Sequence, residues 1–345
     1  MMEQNKEIQG FVIDQLAEEQ NIQDIVFSLM ADPNLAPINY FNDFSEGPID
    51  LSAISNEENE DIGIFSSENG HTFAISTHAL HHHLEIDPKQ AAEIIVSRAV
   101  RKMVCLGAVP EAISSFLYHI NIADPNGQFI AAGAKKGLEE VCNKFNIKLT
   151  DRKIRFDYFS AHGPVYPTII VSLMASISDK DKLVTNSFKN KGQNIFVIGK
   201  SYDDVNSSEY LEFYHEISES SLPVFDIDVE VKLHAVMRNL VASGLINSAS
   251  PVGKGGMFFS LLRAGMPSGL GFDITTDAEI RKDAFLFGEA MGRIIVGVDP
   301  KKADDFVDLM SGLDVPFFAL GHVTKGEIRI DDVSFGFIDK ITPSN

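Results

Sequence analysis

Gly253-Lys254-Gly255-Gly256 lies between the apolar runs Leu245 to Val252 and Met257 to Leu262, and the reading of this chain turns on it. Glycine reaches backbone angles closed to other residues. A strand, a glycine turn and a helix in succession therefore bring backbone N–H groups close to whatever lies above, as phosphate binders commonly do. A lysine stands second in this turn, where a metal–phosphate site would place a carboxylate. Downstream, Leu286-Phe287-Gly288-Glu289-Ala290-Met291-Gly292-Arg293 is a second glycine-punctuated segment that reads with it.

Outward from the turn, Asn194 to Gly199, Leu245 to Val252, Gly269 to Ile274, Arg293 to Val298 and Phe317 to Val323 read as strands. Helical spacing fills about 206–216, 230–242, 256–264 and 301–311. In the amino-side half, Ile62 to Phe65 and Thr72 to Thr77 read as strands around a turn at Glu68-Asn69-Gly70. Residues 88–106 predict a helix with Pro88 in its first turn and Ile94, Ile95, Ala99, Val100, Met103 and Val104 on one broad face. A second helix runs from Phe129 to Phe145, and Pro167 to Ser176 reads as a buried strand. Residues 1–31 form an amino-terminal helical extension, and a boundary near residue 185 divides a domain over 32–185 from one over 186–345. Mixed strands and helices in both halves predict α/β or α+β layers.

Composition limits the functions open to the chain. Of 345 residues, 44% are hydrophobic and 23% charged, a globular balance with room for two cores. No apolar run approaches the ~20 residues that span a bilayer, and Met1 to Gln9 leads into no signal-peptide core. Two cysteines cannot build a disulfide framework, so a reducing cytoplasm is expected. A formal net charge of -20 repels a phosphate backbone, which excludes nucleic acid as an expected partner, although local basic groups could still hold a small anion.

Several residues carry candidate chemistry. His78, His81, His82 and His83 form the densest titratable cluster. On a strand, His81 and His83 would share a face and suit zinc, but no Cys, Asp or Glu completes the set, so a polar loop is the competing reading. Asp61, after the acidic run Glu57-Glu58-Asn59-Glu60, is either a metal ligand at a strand start or part of a solvated acidic loop. Arg152, Lys153 and Arg155 are three cations within four residues of an acidic protein: a solvated face, or part of an anion site with Lys102 and Lys254. Cys105 sits on the apolar helix face as an inert thiol.

The order of motifs resembles a known family. Asp32-Pro33-Asn34-Leu35-Ala36, Ile86-Asp87-Pro88, Val104-Cys105-Leu106-Gly107-Ala108-Val109-Pro110, Tyr166-Pro167-Thr168 and Lys182-Leu183-Val184-Thr185 come first. Ser207-Ser208-Glu209-Tyr210-Leu211, Gly255-Gly256, Leu286-Phe287-Gly288-Glu289 with Arg293, and Leu320-Gly321-His322-Val323-Thr324 follow. From about Asp32 to Ile330 the chain resembles the carboxyl-side synthase half of phosphoribosylformylglycinamidine synthase, and more distantly aminoimidazole ribonucleotide synthase. The resemblance implies an α+β, two-domain protomer whose amino-side sheet pairs with a partner's into a dimeric barrel, with an α/β domain behind. It also implies ATP-dependent amide activation with magnesium bridging the nucleotide.

The departures from the family pattern are concentrated at the chemistry. Its Asp-Val-Ser-Asp-Gly-Gly turn is here Pro251-Val252-Gly253-Lys254-Gly255-Gly256, and its Gly-Asn-Val-Ser segment falls on Arg152-Lys153-Ile154-Arg155. Lys102, after Arg101, replaces an acidic or amide position. Thr-Thr-Asp becomes Ser76-Thr77-His78, with His78 where the active half carries its catalytic histidine. Asp61 alone keeps a metal-ligand identity. Magnesium needs hard oxygen donors, and cations in their place both remove ligands and repel the ion.

The expectation is therefore a divergent relative without magnesium–ATP ligase chemistry. It binds an anionic nucleotide or phosphate through Arg101, Lys102, Arg152, Lys153, Arg155, Lys254, Gly255 and Gly256, or acts as a structural homodimer. The alternative is an ATP-dependent purine-biosynthesis ligase acting on a ribonucleotide of the formylglycinamide type.

Overall fold

The structure is a computed structural model that describes residues 21–32, Leu35, 62–67, 70–81, 83–155, 159–160 and 163–341. Asp61, His82 and residues 1–20 lie outside the described residues, so the expectations placed on them are not addressed. In the amino-side half come α1 (Ile22–Met30), β1 (Gly63–Ser66), β2 (Thr72–Leu80), α2 (His83–Ile86), α3 (Pro88–Leu106), β3 (Val109–Tyr118), α4 (Pro125–Phe145), β4 (Lys148–Ile154), the short pair β5 (Phe159–Ser160) and β6 (Gly163–Pro164), and β7 (Thr168–Ile177). The carboxyl-side half adds β8 (Asn194–Ile198), α5 (Ile227–Ser243), β9 (Ile246–Pro251), α6 (Gly256–Gly265), β10 (Phe272–Ile274), α7 (Lys282–Phe287), β11 (Ile294–Val298), α8 (Ala303–Ser311), β12 (Phe317–Val323), β13 (Glu327–Ile330) and β14 (Val333–Phe337). The fold is α+β.

Two sheets organise the molecule. One has the order β1-β2-β7-β3-β4; the other runs β14-β13-β10-β12-β8-β11-β9. Long antiparallel registers such as Thr72↔Ile177 through Leu80↔Ile169 hold the first, and its parallel β3–β4 pair requires the crossover that α4 supplies. Alternation places Ile113, Leu117, Val171 and Leu173 on the inner face against the helices.

The central element is α3. Asp87 caps it by accepting from the Lys89 and Gln90 N–H groups at 3.0 Å, Pro88 occupies its first turn, and Gly107 ends it at φ 92°. It is buried on nearly every side, as expected of a helix between two sheets. One core packs α3 and α4 against α5 and one face of the second sheet, through Leu233, Met237, Ile294 and Val296. The opposite face of that sheet, with Ile195, Val197 and Ile295, packs on α6 and on Ile25 and Leu29 of α1. The layers thus run sheet, helices, sheet, helices.

The outer face of the five-stranded sheet is different. Phe65 stacks on Phe73 and Phe116 on Tyr118, at centroid distances of 6.0 and 6.2 Å, while Ile75 and Met174 stay 36% and 41% exposed. These groups flank a polar row, Thr77, Ser172 and Ser114, in which Thr77 and Ser172 hydrogen-bond at 3.0 Å, and an exposed sheet face with apolar groups of this size suits pairing.

Two expectations are corrected. β2 ends at Leu80 and His83 opens α2, so His81 and His83 do not share a strand face. The stretch expected to be helical over 206–216 is a π-helical turn, Tyr210–Tyr214. No helix among the described residues is long and apolar enough to cross a membrane.

Candidate functional site: the glycine turn and its carboxylates

The strand β9 delivers the chain to the turn, and α6 leaves it, as the sequence predicts. Gly255 and Gly256 stand at φ 76° and 71°, in the left-handed region. A Cβ on Gly256 would lie 2.6 Å from the Leu286 carbonyl oxygen, so the 286–288 backbone approaches too closely for any side chain.

Two of the turn's N–H donors are engaged within the chain: Gly256 donates to the Gly253 carbonyl at 2.9 Å, and Gly255 to a carboxylate. Glu289 Oε1 accepts the Gly255 N–H at 2.9 Å and the Glu209 N–H at 3.0 Å, and its side chain is 3% exposed. Lys254 Nζ donates to Glu209 Oε1 at 2.6 Å, and Arg263 holds the Lys254 carbonyl at 2.7 Å. Burial raises the Glu289 carboxyl above the usual carboxylate range, with the nearby Arg98 charge opposing.

Behind the turn lies a buried polar seam between α3 and the carboxyl-side half. Arg101 Nη1 pairs with Glu230 Oε1 at 3.0 Å, and both side chains are almost fully buried. Arg98 Nε and Arg101 Nη2 both donate to Met291 Sδ, at 3.4 and 3.3 Å. Buried Arg293 gives its Nη2 to the Gly288 carbonyl at 2.6 Å, shaping the loop that carries Glu289. Burial pulls Arg293 down to about 10.

The expected basic set is not brought together. Lys254, Gly255 and Gly256 share the turn; Arg101 and Lys102 lie on α3, the first paired with Glu230 and the second half-buried. Arg152 on β4 pairs with Glu139 of α4. Lys153 lies 5.6 Å over the Phe116 ring, on the outer sheet face and so across the sheet from α3. Arg155 is exposed, its backbone bonded to Leu117 and Ile120. His78 is half-buried with Nε2 3.1 Å from Ser76 Oγ. Among the described residues no group of three or more His, Cys, Asp or Glu side chains is placed to hold a metal.

Magnesium carrying nucleotide phosphates does not fit this turn. An ammonium stands in the turn where oxygen donors are needed, and the Gly255 N–H is already taken by the Glu289 carboxylate. Glu209 and Glu230 escaped the sequence reading as partners because they lie 45 and 129 residues from the cations they neutralise.

Comparison with known proteins identifies the two domains. Residues 59–175 match the N-terminal domain, and residues 190–332 the C-terminal domain, of AIR synthase related proteins. The chain belongs to the AIR synthase related family. Within this family it is 26% identical over 306 residues to phosphoribosylformylglycinamidine synthase subunit PurL of Moorella thermoacetica, covering 86% of this chain and 40% of that one. The PurL subunit of Alkaliphilus metalliredigens is 23% identical over 324 residues, covering 94% and 44%. The chain thus spans less than half the length of these curated relatives. Among solved structures, Thermotoga maritima PurL complexed with FGAR superposes with a TM-score of 0.77 at 17% identity, over 95% of this chain and 54% of that one. AaThiL complexed with AMPPCP and TMP gives 0.59 at 14% identity, covering 88% and 96%. At those identities the structures speak for the AIR synthase-like fold alone.

Proposed function

We propose that this chain is an AIR synthase related protein that does not run magnesium–ATP ligase chemistry at its glycine turn and works as a homodimeric scaffold paired through its open sheet face. The observation that carries the first part is the 2.6 Å Lys254–Glu209 ion pair. It places a cation in the turn and uses the turn's own lysine for an internal contact. An anionic ligand there would have to displace Glu209 from Lys254 and Glu289 from Gly255, which weakens the nucleotide- or phosphate-binding reading relative to the structural one.

The competing reading is an ATP-dependent ligase half of purine biosynthesis, acting on formylglycinamide ribonucleotide. The names of the curated relatives favour it. Phosphate release from ATP, with magnesium, ammonia and that ribonucleotide supplied, separates the two. The scaffold reading predicts release at the rate of a protein-free control. Sustained turnover that rises with enzyme concentration establishes the ligase instead.

A further inference from the structure

We infer that Glu289 is the resident anion of the glycine turn: a carboxylate of the chain itself, seated on the Gly255 and Glu209 N–H groups, takes the place in which the turn would hold a phosphate. The inference shares the turn with the proposed function but does not depend on loss of ligase activity. An enzyme whose nucleotide binds elsewhere could carry the same device.

Three loops meet at this carboxylate. The 253–256 turn supplies one N–H at 2.9 Å, and the segment entering the Tyr210–Tyr214 π-helical turn supplies another at 3.0 Å. The 288–293 loop supplies Glu289 itself, positioned by Arg293 gripping the Gly288 and Ala290 carbonyls. The Gly255 donor stands at the N-cap of the ten-residue α6, where the helix dipole favours negative charge. Lys254 pairs with Glu209, and the Arg98 charge opposes the burial and the Glu209 charge that raise Glu289. The carboxylate joins turn, π-helical segment and loop.

A resident anion has a distinctive consequence. Removing the carboxylate leaves two oriented N–H donors and a cavity of carboxylate shape, which a small external carboxylate can refill. Glu289→Ala is expected to lower the unfolding midpoint by about 5 °C or more. Formate at millimolar concentration should recover at least half of that loss in a saturable way, with equal chloride without effect. Inorganic phosphate at the same concentration should stabilise Glu289→Ala and leave the unsubstituted protein unchanged. Glu289→Gln keeps an acceptor oxygen, so it should fold, lose less and gain nothing from formate. Glu219→Ala, at an exposed carboxylate, serves as the control and should show no rescue.

Saturable stabilisation of the unsubstituted protein by phosphate would overturn the inference, because the N–H donors would then be open to ligand. So would a Glu289→Ala variant that loses stability without formate rescue, which would make the residue a packing element only. If Glu289→Ala does not fold, formate rescue of its refolding yield decides in the same way. Ligase turnover with rescue intact would sink the proposed function and leave this inference standing.

Discussion

Glu230→Ala should lower the unfolding midpoint by roughly 6–15 °C, the largest single-residue effect expected outside the hydrophobic cores. Glu230 is fully buried, and its Oε1 receives Arg101 Nη1 at 3.0 Å. Deleting one partner leaves the other charge buried without compensation, which costs about 3–5 kcal/mol. The pair joins α3 to α5 and so ties the two halves together. Replacing both by apolar residues, Arg101→Met with Glu230→Met, should recover much of the loss, since a packed apolar pair needs no desolvation. A double-mutant cycle then reads the coupling directly. Additive losses would show that the contact contributes nothing beyond the volume of its side chains.

The same cluster sets an acid limit. Burial pulls His234 below its ordinary 6.5, with Glu230 opposing. The unfolded chain therefore binds that proton first, and stability falls as pH drops below 6.5. For Glu230, burial favours the neutral form, but the Arg101 charge and the His234 contact outweigh it and the carboxyl lies below its usual 4.5. Its contribution is complete above pH 4.5 and is lost as pH falls through the depressed value. Unfolding midpoints followed from pH 7.5 to well below pH 4 should decline in two stages, and His234→Gln should remove the first.

Met174→Asp should convert a dimer to a monomer, a fall in solution mass from twice 38.0 kDa to 38.0 kDa. Met174 lies opposite Ile75 on β2 and Ala112 on β3, near the middle of the open face, and is 41% exposed. Pairing would bury it, and a carboxylate there would lose its water without gaining a partner, at a cost of several kcal/mol. Each 1.4 kcal/mol is tenfold in affinity, so dimer dissociation should rise at least about 100-fold. Because Met174 faces away from the helices, the folded monomer should keep its circular dichroism and most of its thermal stability. Light scattering on both proteins at micromolar concentration gives the answer. A monomeric unsubstituted protein would refute the pairing.

The helices and buried strands were legible because their signals are local. Pro88, Asp87 and Gly107 mark the ends of α3, and β-branched residues mark β7 and β11. β4 was not legible as a strand. Its sequence, KLTDRKI, lies at a sheet edge with Lys148, Arg152 and Lys153 exposed, and reads as a basic run. The π-helical turn breaks the 3.6-residue period on which helix prediction rests. At the site, the sequence reading marked the turn and its lysine as a departure from the resembled family's pattern. What it could not supply was the partner of each charge. Lys254 meets Glu209 and Gly255 meets Glu289 only after seven strands have been ordered into one sheet. The histidines, four in six residues, are a dense pattern without a completing ligand, and the chain passes from strand at Leu80 to helix at His83 within it.

On the proposed function, internal charges close the glycine turn to magnesium–nucleotide. Calorimetric titration of the dialysed protein with ATP, with and without magnesium, tests it most directly. No saturable magnesium-dependent heat is expected up to about 1 mM nucleotide, a concentration at which even a binding free energy near −4 kcal/mol would register. Saturable ATP binding that requires magnesium and weakens in Lys254→Ala would contradict it.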